Sequence, residues 1–235
     1  MALPRNPLRA VFPIVYVQKM PRLSYTFLGT GFFINGSGLF LTAKHVCLGV
    51  EEDCNAVMVN PMTTEAMPYK ISSLQCSKEF DIALGRVGEL SDMQPLTVAN
   101  ENAPMNYDVL TAEFSGTHAE EIGEGTKALV FDAYFRKGTV LRYYMSAFPE
   151  KVPTGCLELS FPALKGASGA PVIVESTGLV IGMIVGNVER ELLPAQIETV
   201  TDGQKYIEER KYFLPAARAI SWKHLREMIV NYSEH

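Results

Sequence analysis

Three short segments carry side chains that could together perform nucleophilic chemistry, in the order Leu41-Thr-Ala-Lys-His45-Val, Phe80-Asp81-Ile-Ala-Leu84 and Lys165-Gly166-Ala-Ser168-Gly169-Ala-Pro171. A serine hydroxyl is a poor nucleophile at neutral pH, so it needs a base within hydrogen-bond reach. An imidazole, with an ordinary pKa of about 6.5, suits that task. His45 follows an apolar stretch directly and stands at the start of a turn, which holds its ring at a rigid edge. Asp81 lies between Phe80 and Ile82, where a carboxylate is costly unless it is hydrogen-bonded. Paired with His45, it would accept from the second ring nitrogen, select the tautomer and stabilise the imidazolium without taking the proton. The turn Gly166-Ala-Ser168-Gly169 lets backbone N–H groups converge, because glycine accepts conformations closed to other residues. The amides of Gly166 and Ser168 would then form an oxyanion hole.

Taken together, the segments resemble the trypsin and chymotrypsin family, whose members carry Thr-Ala-x-His, Asp-Ile-Ala-Leu and Gly-x-Ser-Gly-x-Pro in this order. The short intervals, and Phe213-Leu-Pro215 as a match to the final barrel strand, make the HtrA/Deg and other bacterial-type branches more similar than the digestive enzymes. The resemblance spans about Gly29 to Ile229. It implies two packed six-stranded antiparallel β-barrels, the N-terminal one bearing His45 and Asp81 and the C-terminal one bearing Ser168. Residue Ala167 stands where digestive enzymes place the aspartate that captures a new N-terminus, and no Ile-Val-Gly-Gly start is present. Activity is therefore expected without N-terminal cleavage, under the control of loops or a regulatory protein partner. Pro162, six residues before Ser168, takes the place of an acidic pocket floor. With Ile184, Val185, Gly186 and Phe213 as the other expected substrate-binding residues, a small or medium apolar residue is expected before the cut bond.

The elements that must position these residues are legible as strands. Short β-branched and aromatic runs alternate with Gly, Pro, Asn and Asp, which is an all-β pattern. Gly31 to Ile34, Asn35-Gly-Ser-Gly38 and Leu39 to Thr42 read as a hairpin. Further strands are expected over 13–18, 56–59, 69–74, 82–87, 109–114, 127–135, 139–146, 156–161, 171–174 and 180–185. A dozen strands fit two barrels, divided as 1–100 and 101–235, with an aperiodic linker over 98–107. Ser221 can cap a terminal helix that puts Trp222, Leu225, Met228 and Ile229 on one face. The polar, acidic stretch 187–210 reads as a long, mobile insertion.

Composition narrows the function classes. The 235 residues are 47% apolar and 20% charged, enough for a large core, and a net charge of −5 gives no basic footprint for nucleic acid. No apolar run approaches the roughly 20 residues of a membrane span. Early prolines interrupt any signal-peptide core, so a cytoplasmic setting is expected. Cys47, Cys54, Cys76 and Cys156 lack metal or framework spacing and read as buried thiols, with a Cys47 to Cys76 bridge left open. His118, His224 and His235 have no metal-ligand spacing either, so neither metal nor cofactor is expected.

Two rivals bracket the serine endopeptidase reading. An α/β-hydrolase would use Ser168, Asp202 and His224 in that fold's chain order, but its elbow needs glycine where Ala170 stands. A catalytically silent binding module on the same fold is the other, since fold does not dictate turnover. The expected partner is a protein or peptide substrate.

Overall fold

The computed structural model describes residues 7–18, 24–59, 65–88, 90, 93–123, 126–147, 152–191, 195–201, 204–210 and 212–233. Its first half is a seven-stranded antiparallel sheet built from β1 (Val11–Gln18), β2 (Ser24–Phe33), β3 (Leu39–Thr42), β4 (Cys54–Val59), β5 (Ala66–Lys70), β6 (Ser73–Cys76) and β7 (Ala83–Arg86), in the order β5-β4-β1-β2-β3-β7-β6. One-turn helix α1 (Lys44–Cys47) follows β3. The expected strand 69–74 is split between β5 and β6. At the break, Ile71 donates to Cys54 and Ser72 to Arg86, so this one stretch of chain bends from one end of the sheet to the other.

The β2–β3 hairpin forms as its turn residues require. Asn35 Oδ1 accepts from the amides of Ser37 and Leu39, each at 3.0 Å, and Gly38 takes a φ of +78°. The apolar residues of β1, β2 and β3 then meet inside the sheet. Phe12, Phe33 and Phe40 pack with ring centroids 4.4 to 6.3 Å apart, and aromatic pairs of this kind contribute about 0.5 to 1.5 kcal/mol beyond the area they bury.

The second half comprises β8 (Thr97–Val98), β9 (Asp108–Glu113), β10 (His118–Gly123), β11 (Thr126–Val130), β12 (Tyr134–Ser146), β13 (Thr154–Leu159), β14 (Pro171–Val174), β15 (Leu179–Glu191), β16 (Ala195–Thr201), β17 (Gln204–Arg210) and β18 (Phe213–Ser221). The sheet runs β14-β9-β12-β13-β18-β15-β8, and pairing of β14 with β15 closes six of these strands on themselves. The seventh, β8, lies parallel to β15, so the expected linker 98–107 begins inside this sheet with Val98. Helix α2 (Trp222–Ser233) follows β18 directly. Its Leu225 and Met228 are buried in a cluster that also holds Phe80, Ile82 and Ile220, which ties both halves to the terminal helix.

Three expectations need correction. The run 127–135 is not one strand: β11 ends at Val130 and β12 starts at Tyr134, and the two pair with different partners. The insertion 187–210 is not irregular. Its first five residues extend β15 along β18, and Ala195–Thr201 pairs with Gln204–Arg210 as a hairpin. The two strands include the β-formers Ile197, Thr199, Val200 and Ile207, and their backbone pairing outweighs the polar composition of the stretch. The α/β rival requires a doubly wound sheet, and this chain is all-β with one long helix; Asp202 lies outside the described residues.

Gly38 gives a direct check on the hairpin that carries β3 toward α1. A Cβ there would lie 2.4 Å from the Val87 carbonyl oxygen in addition to the unfavourable φ. Gly38→Ala is expected to destabilise the protein by about 2 kcal/mol or more in urea unfolding, whereas Gly36→Ala, which meets nothing, should change little.

Candidate active site

His45 sits on α1, immediately beyond the buried strand β3, and the loop that delivers Asp81 is tied down at several points. Lys44 Nζ donates to the Ser77 carbonyl at 2.9 Å, the Ser77 amide donates to Ile82, and the Ser77 hydroxyl accepts from the amides of Glu79 and Phe80. Phe80 is buried against the His224 ring of α2, with centroids 4.2 Å apart. These contacts leave Asp81 no room to turn away.

One carboxylate therefore holds both the backbone and the ring of His45. Asp81 Oδ1 accepts from the His45 amide at 2.9 Å, and Oδ2 lies 2.6 Å from Nδ1. That short distance belongs to the charge-assisted class. Since an ionised carboxylate only accepts, Nδ1 carries the proton and Nε2 is left as the basic nitrogen. The Asp81 side chain is only 13% exposed against 46% for His45, so the carboxylate is sheltered and the ring is open to solvent. Burial pushes the Asp81 carboxyl up, but hydrogen bonds to the His45 ring and amide, with the nearby Lys44 charge, hold it below the usual carboxylate range.

The Ser168 loop is tied to the first sheet by Thr30 of β2. The Thr30 amide donates to the Ser168 carbonyl at 2.9 Å, and its hydroxyl donates to the Gly166 carbonyl at 2.8 Å. The same hydroxyl accepts from the Phe114 amide, while the Thr30 carbonyl accepts from the Thr42 hydroxyl at 2.7 Å. Thr30 is fully buried. Nothing in the sequence motifs marked it, because its role is a contact between segments 136 residues apart.

The loop geometry depends on glycine twice. Gly166 and Gly169 take φ of +93° and +88°; a Cβ on Gly166 would reach 2.3 Å from the Phe27 ring, and one on Gly169 would reach 1.9 Å from the Thr30 carbonyl oxygen. Within this loop the amides of Ala167, Gly169 and Ala170 donate to Leu164, Ile184 and Ala167 respectively. Among the described hydrogen bonds, the amides of Gly166 and Ser168 donate to none, which leaves the two expected oxyanion donors available. Ala167 is buried in the second barrel, so packing sets the loop where digestive enzymes use a buried charge.

Gly29 brings the two halves together. A Cβ at that position would lie 2.7 Å from Val46 Cγ2 and 3.0 Å from the Ser168 carbonyl oxygen. Only a glycine's width thus separates the residue next to His45 from the backbone of Ser168.

Of the expected substrate-binding residues, Ile184 and Val185 are buried and Gly186 is open, with a Cβ there meeting nothing within 4 Å. Pro162 is half-buried beside Ala163. Phe213 is not part of this group: it pairs with Glu191, five steps along the strand from the Gly186–Arg218 pair, and is half exposed. Sequence reasoning missed Asn187, whose amide side chain accepts from the Ala163 amide at 2.7 Å and donates to the Ala163 carbonyl at 2.9 Å. This two-way bond clamps the segment before Ser168 to β15. Asn187 and Ile184 lie opposite Ala217 and Ala219 on β18, so small and apolar side chains line that face. Asn187 follows the hydrophobic run of β15 directly; a polar residue at that break was the available signal.

All four cysteines are free thiols, so Cys47 and Cys76 are not bridged, and the Cys54 thiol donates to the Val50 carbonyl at 3.2 Å. Among the described residues, no group of three His, Cys, Asp or Glu side chains could hold a metal ion, and no helix is long and apolar enough to cross a membrane.

Two outcomes follow. Thr30→Val keeps the shape but removes the hydroxyl from Gly166 and Phe114; it is expected to cost about 1 to 3 kcal/mol in unfolding and to lower kcat more than it raises KM on a peptide substrate. Because the Asp81 carboxyl titrates below its unfolded value, its stabilising effect is present above the ordinary carboxylate pKa and lost as pH falls through the lowered one. Asp81→Asn should therefore be less stable than the wild type at pH 7, and the gap should close below about pH 4 in thermal unfolding at graded pH.

The trypsin-like peptidase domain model matches residues 29–183. No curated protein matches the chain by sequence. Among solved structures, the inactive form of Rv3671c from M. tuberculosis, a serine-to-alanine mutant, is 14% identical with a TM-score of 0.62, covering 96% of this chain and 87% of that one. The HtrA-type protease AlgW with a bound decapeptide is 13% identical with a TM-score of 0.66, and the match covers 97% of this chain and 65% of AlgW. At these identities the two structures speak to the fold, and the domain match speaks to the family. The chain belongs to the trypsin-like peptidase family and is a trypsin-like serine protease.

Proposed function

We propose that the chain is an endopeptidase that cuts proteins or peptides through His45, Asp81 and Ser168, with Asp81 and His45 on residues 1–100 and Ser168 on residues 101–235 acting across the seam. The observation that carries this reading is the single Asp81 carboxylate bonded to both the amide and Nδ1 of His45, beside the Ser168 loop that Thr30 pins. Ser168 Oγ attacks the scissile carbonyl while its proton passes to His45 Nε2. The oxyanion that forms accepts from the amides of Gly166 and Ser168. His45 then gives the proton to the leaving amine, the C–N bond breaks, and an acyl-enzyme remains. Water repeats the sequence on the ester and releases the acid.

For the residue before the cut bond, the face lined by Ile184, Ala217, Ala219 and Asn187 supports a small or medium apolar side chain. A peptide substrate is further supported by the decapeptide in AlgW. The four free thiols support a reducing, cytoplasmic setting. The two available amides favour activity that needs no proteolytic activation, leaving control to loops or a protein partner.

A fluorophosphonate probe, which reacts only with an activated serine, should label the wild type and leave Ser168→Ala and His45→Ala unlabelled. On a cleaved peptide, kcat should fall by about 10⁴-fold or more in either variant. A wild type as inert to the probe as Ser168→Ala would instead identify a silent binding module.

A further inference from the structure

His224 stands in the first turn of α2, where it touches both halves of the molecule. Its ring lies against Phe80, the residue before Asp81, with centroids 4.2 Å apart. From the second half, the Gly155 amide of β13 donates to its Nε2 at 2.9 Å. A ring nitrogen that accepts carries no proton, so the proton of this neutral imidazole is on Nδ1. Nδ1 is buried without a hydrogen-bond partner among the described residues, and Oε2 of Glu227, one turn along α2, is 3.6 Å away.

Because Nδ1 is already protonated, a second proton must go to Nε2. There it meets the Gly155 N–H, donor against donor, and the bond is lost. The charged ring has another place to go. On α2 itself, the exposed carboxylate of Glu227 offers it a partner away from Gly155, while Lys223 lies over the Trp222 ring. On the loop that carries Phe80, Lys78 and Glu79 line with Glu227 the groove between that loop and α2, and Asp81 is bonded to His45. On β13, Gly155 has no side chain, and its neighbours Thr154 and Cys156 are buried. Ser221 of β18 is neutral.

Phe80 is buried, and the His224 ring is one wall of its site. It is also one peptide away from the carboxylate that lies 2.6 Å from His45 Nδ1. Resting on the protease reading above, we propose that His224 is a positioning residue for Asp81 that acts only as the neutral ring: proton uptake at Nε2 breaks the bond to Gly155, withdraws the ring from Phe80 and loosens the Asp81–His45 pair. Acidification then silences the enzyme through His224 as well as through His45.

The rate at which a fluorophosphonate labels the enzyme, followed from pH 8 to pH 5, tests this. On the acid side the wild-type rate should fall by about a hundredfold per pH unit, because two rings take up protons, against about tenfold for His224→Gln, whose side-chain oxygen can accept from Gly155 without titrating. At pH 8, His224→Gln should react within about threefold of the wild type, and His224→Leu, which strands the Gly155 amide, about tenfold more slowly. Acid limbs of equal slope and midpoint in the wild type and His224→Gln overturn the proposal. Imidazole nitrogen NMR of Ser168→Ala needs neither turnover nor a change at position 224. A neutral His224 with its proton on Nδ1 at pH 8 is expected, and a proton on Nε2 or a charged ring at that pH overturns the proposal. A wild type that the probe never labels, combined with the Nδ1–H form of His224 and a shift of the His45 ring signals as His224 charges, supports the positioning role and rejects the protease reading.

Discussion

The arrangement of the site depends on Thr30. Its amide, hydroxyl and carbonyl are bonded to Ser168, Gly166, Phe114 and Thr42, so one buried residue of the first sheet fixes the backbone of the loop carried by the second half. A buried polar group with every bond made is costly to disturb, because each partner left behind is also buried and away from water. The clamp acts on the Gly166 and Ser168 carbonyls, while the amides of the same two residues donate to no partner among the described hydrogen bonds. Glycine at 29, 166 and 169 is what allows β2 and this loop to approach so closely.

Charge is distributed around this seam in two distinct ways. At Asp81 it is local: a sheltered carboxylate orients one ring and sets its tautomer. On the outer face of the second barrel it is a cross-strand ladder, in which Glu158 organises Arg142 and Arg190.

Much of the architecture was legible because its signals are local. The hairpin at 31–42 followed from Asn35 and Gly38, and the terminal helix from the spacing of Trp222, Leu225 and Met228. Where composition and pairing disagreed, pairing prevailed: Ala195–Thr201 and Gln204–Arg210 within the acidic stretch 187–210 pair as a hairpin, and 127–135 divides because its two ends have different partners. Phe213 looked close to the pocket in sequence order, but a long pairing of β15 with β18 carries it away along the strand.

By itself the sequence determined which residues could do chemistry and in what order, since the residue types around His45, Asp81 and Ser168 and the glycines beside them are constrained by reactivity and by backbone angle, both of them local properties. Only the tertiary structure decided what surrounds them. Thr30 as the clamp and Asn187 as the tie between β15 and the segment before Ser168 each join separate segments of the chain, and a register between distant strands is set by the packing of the whole sheet.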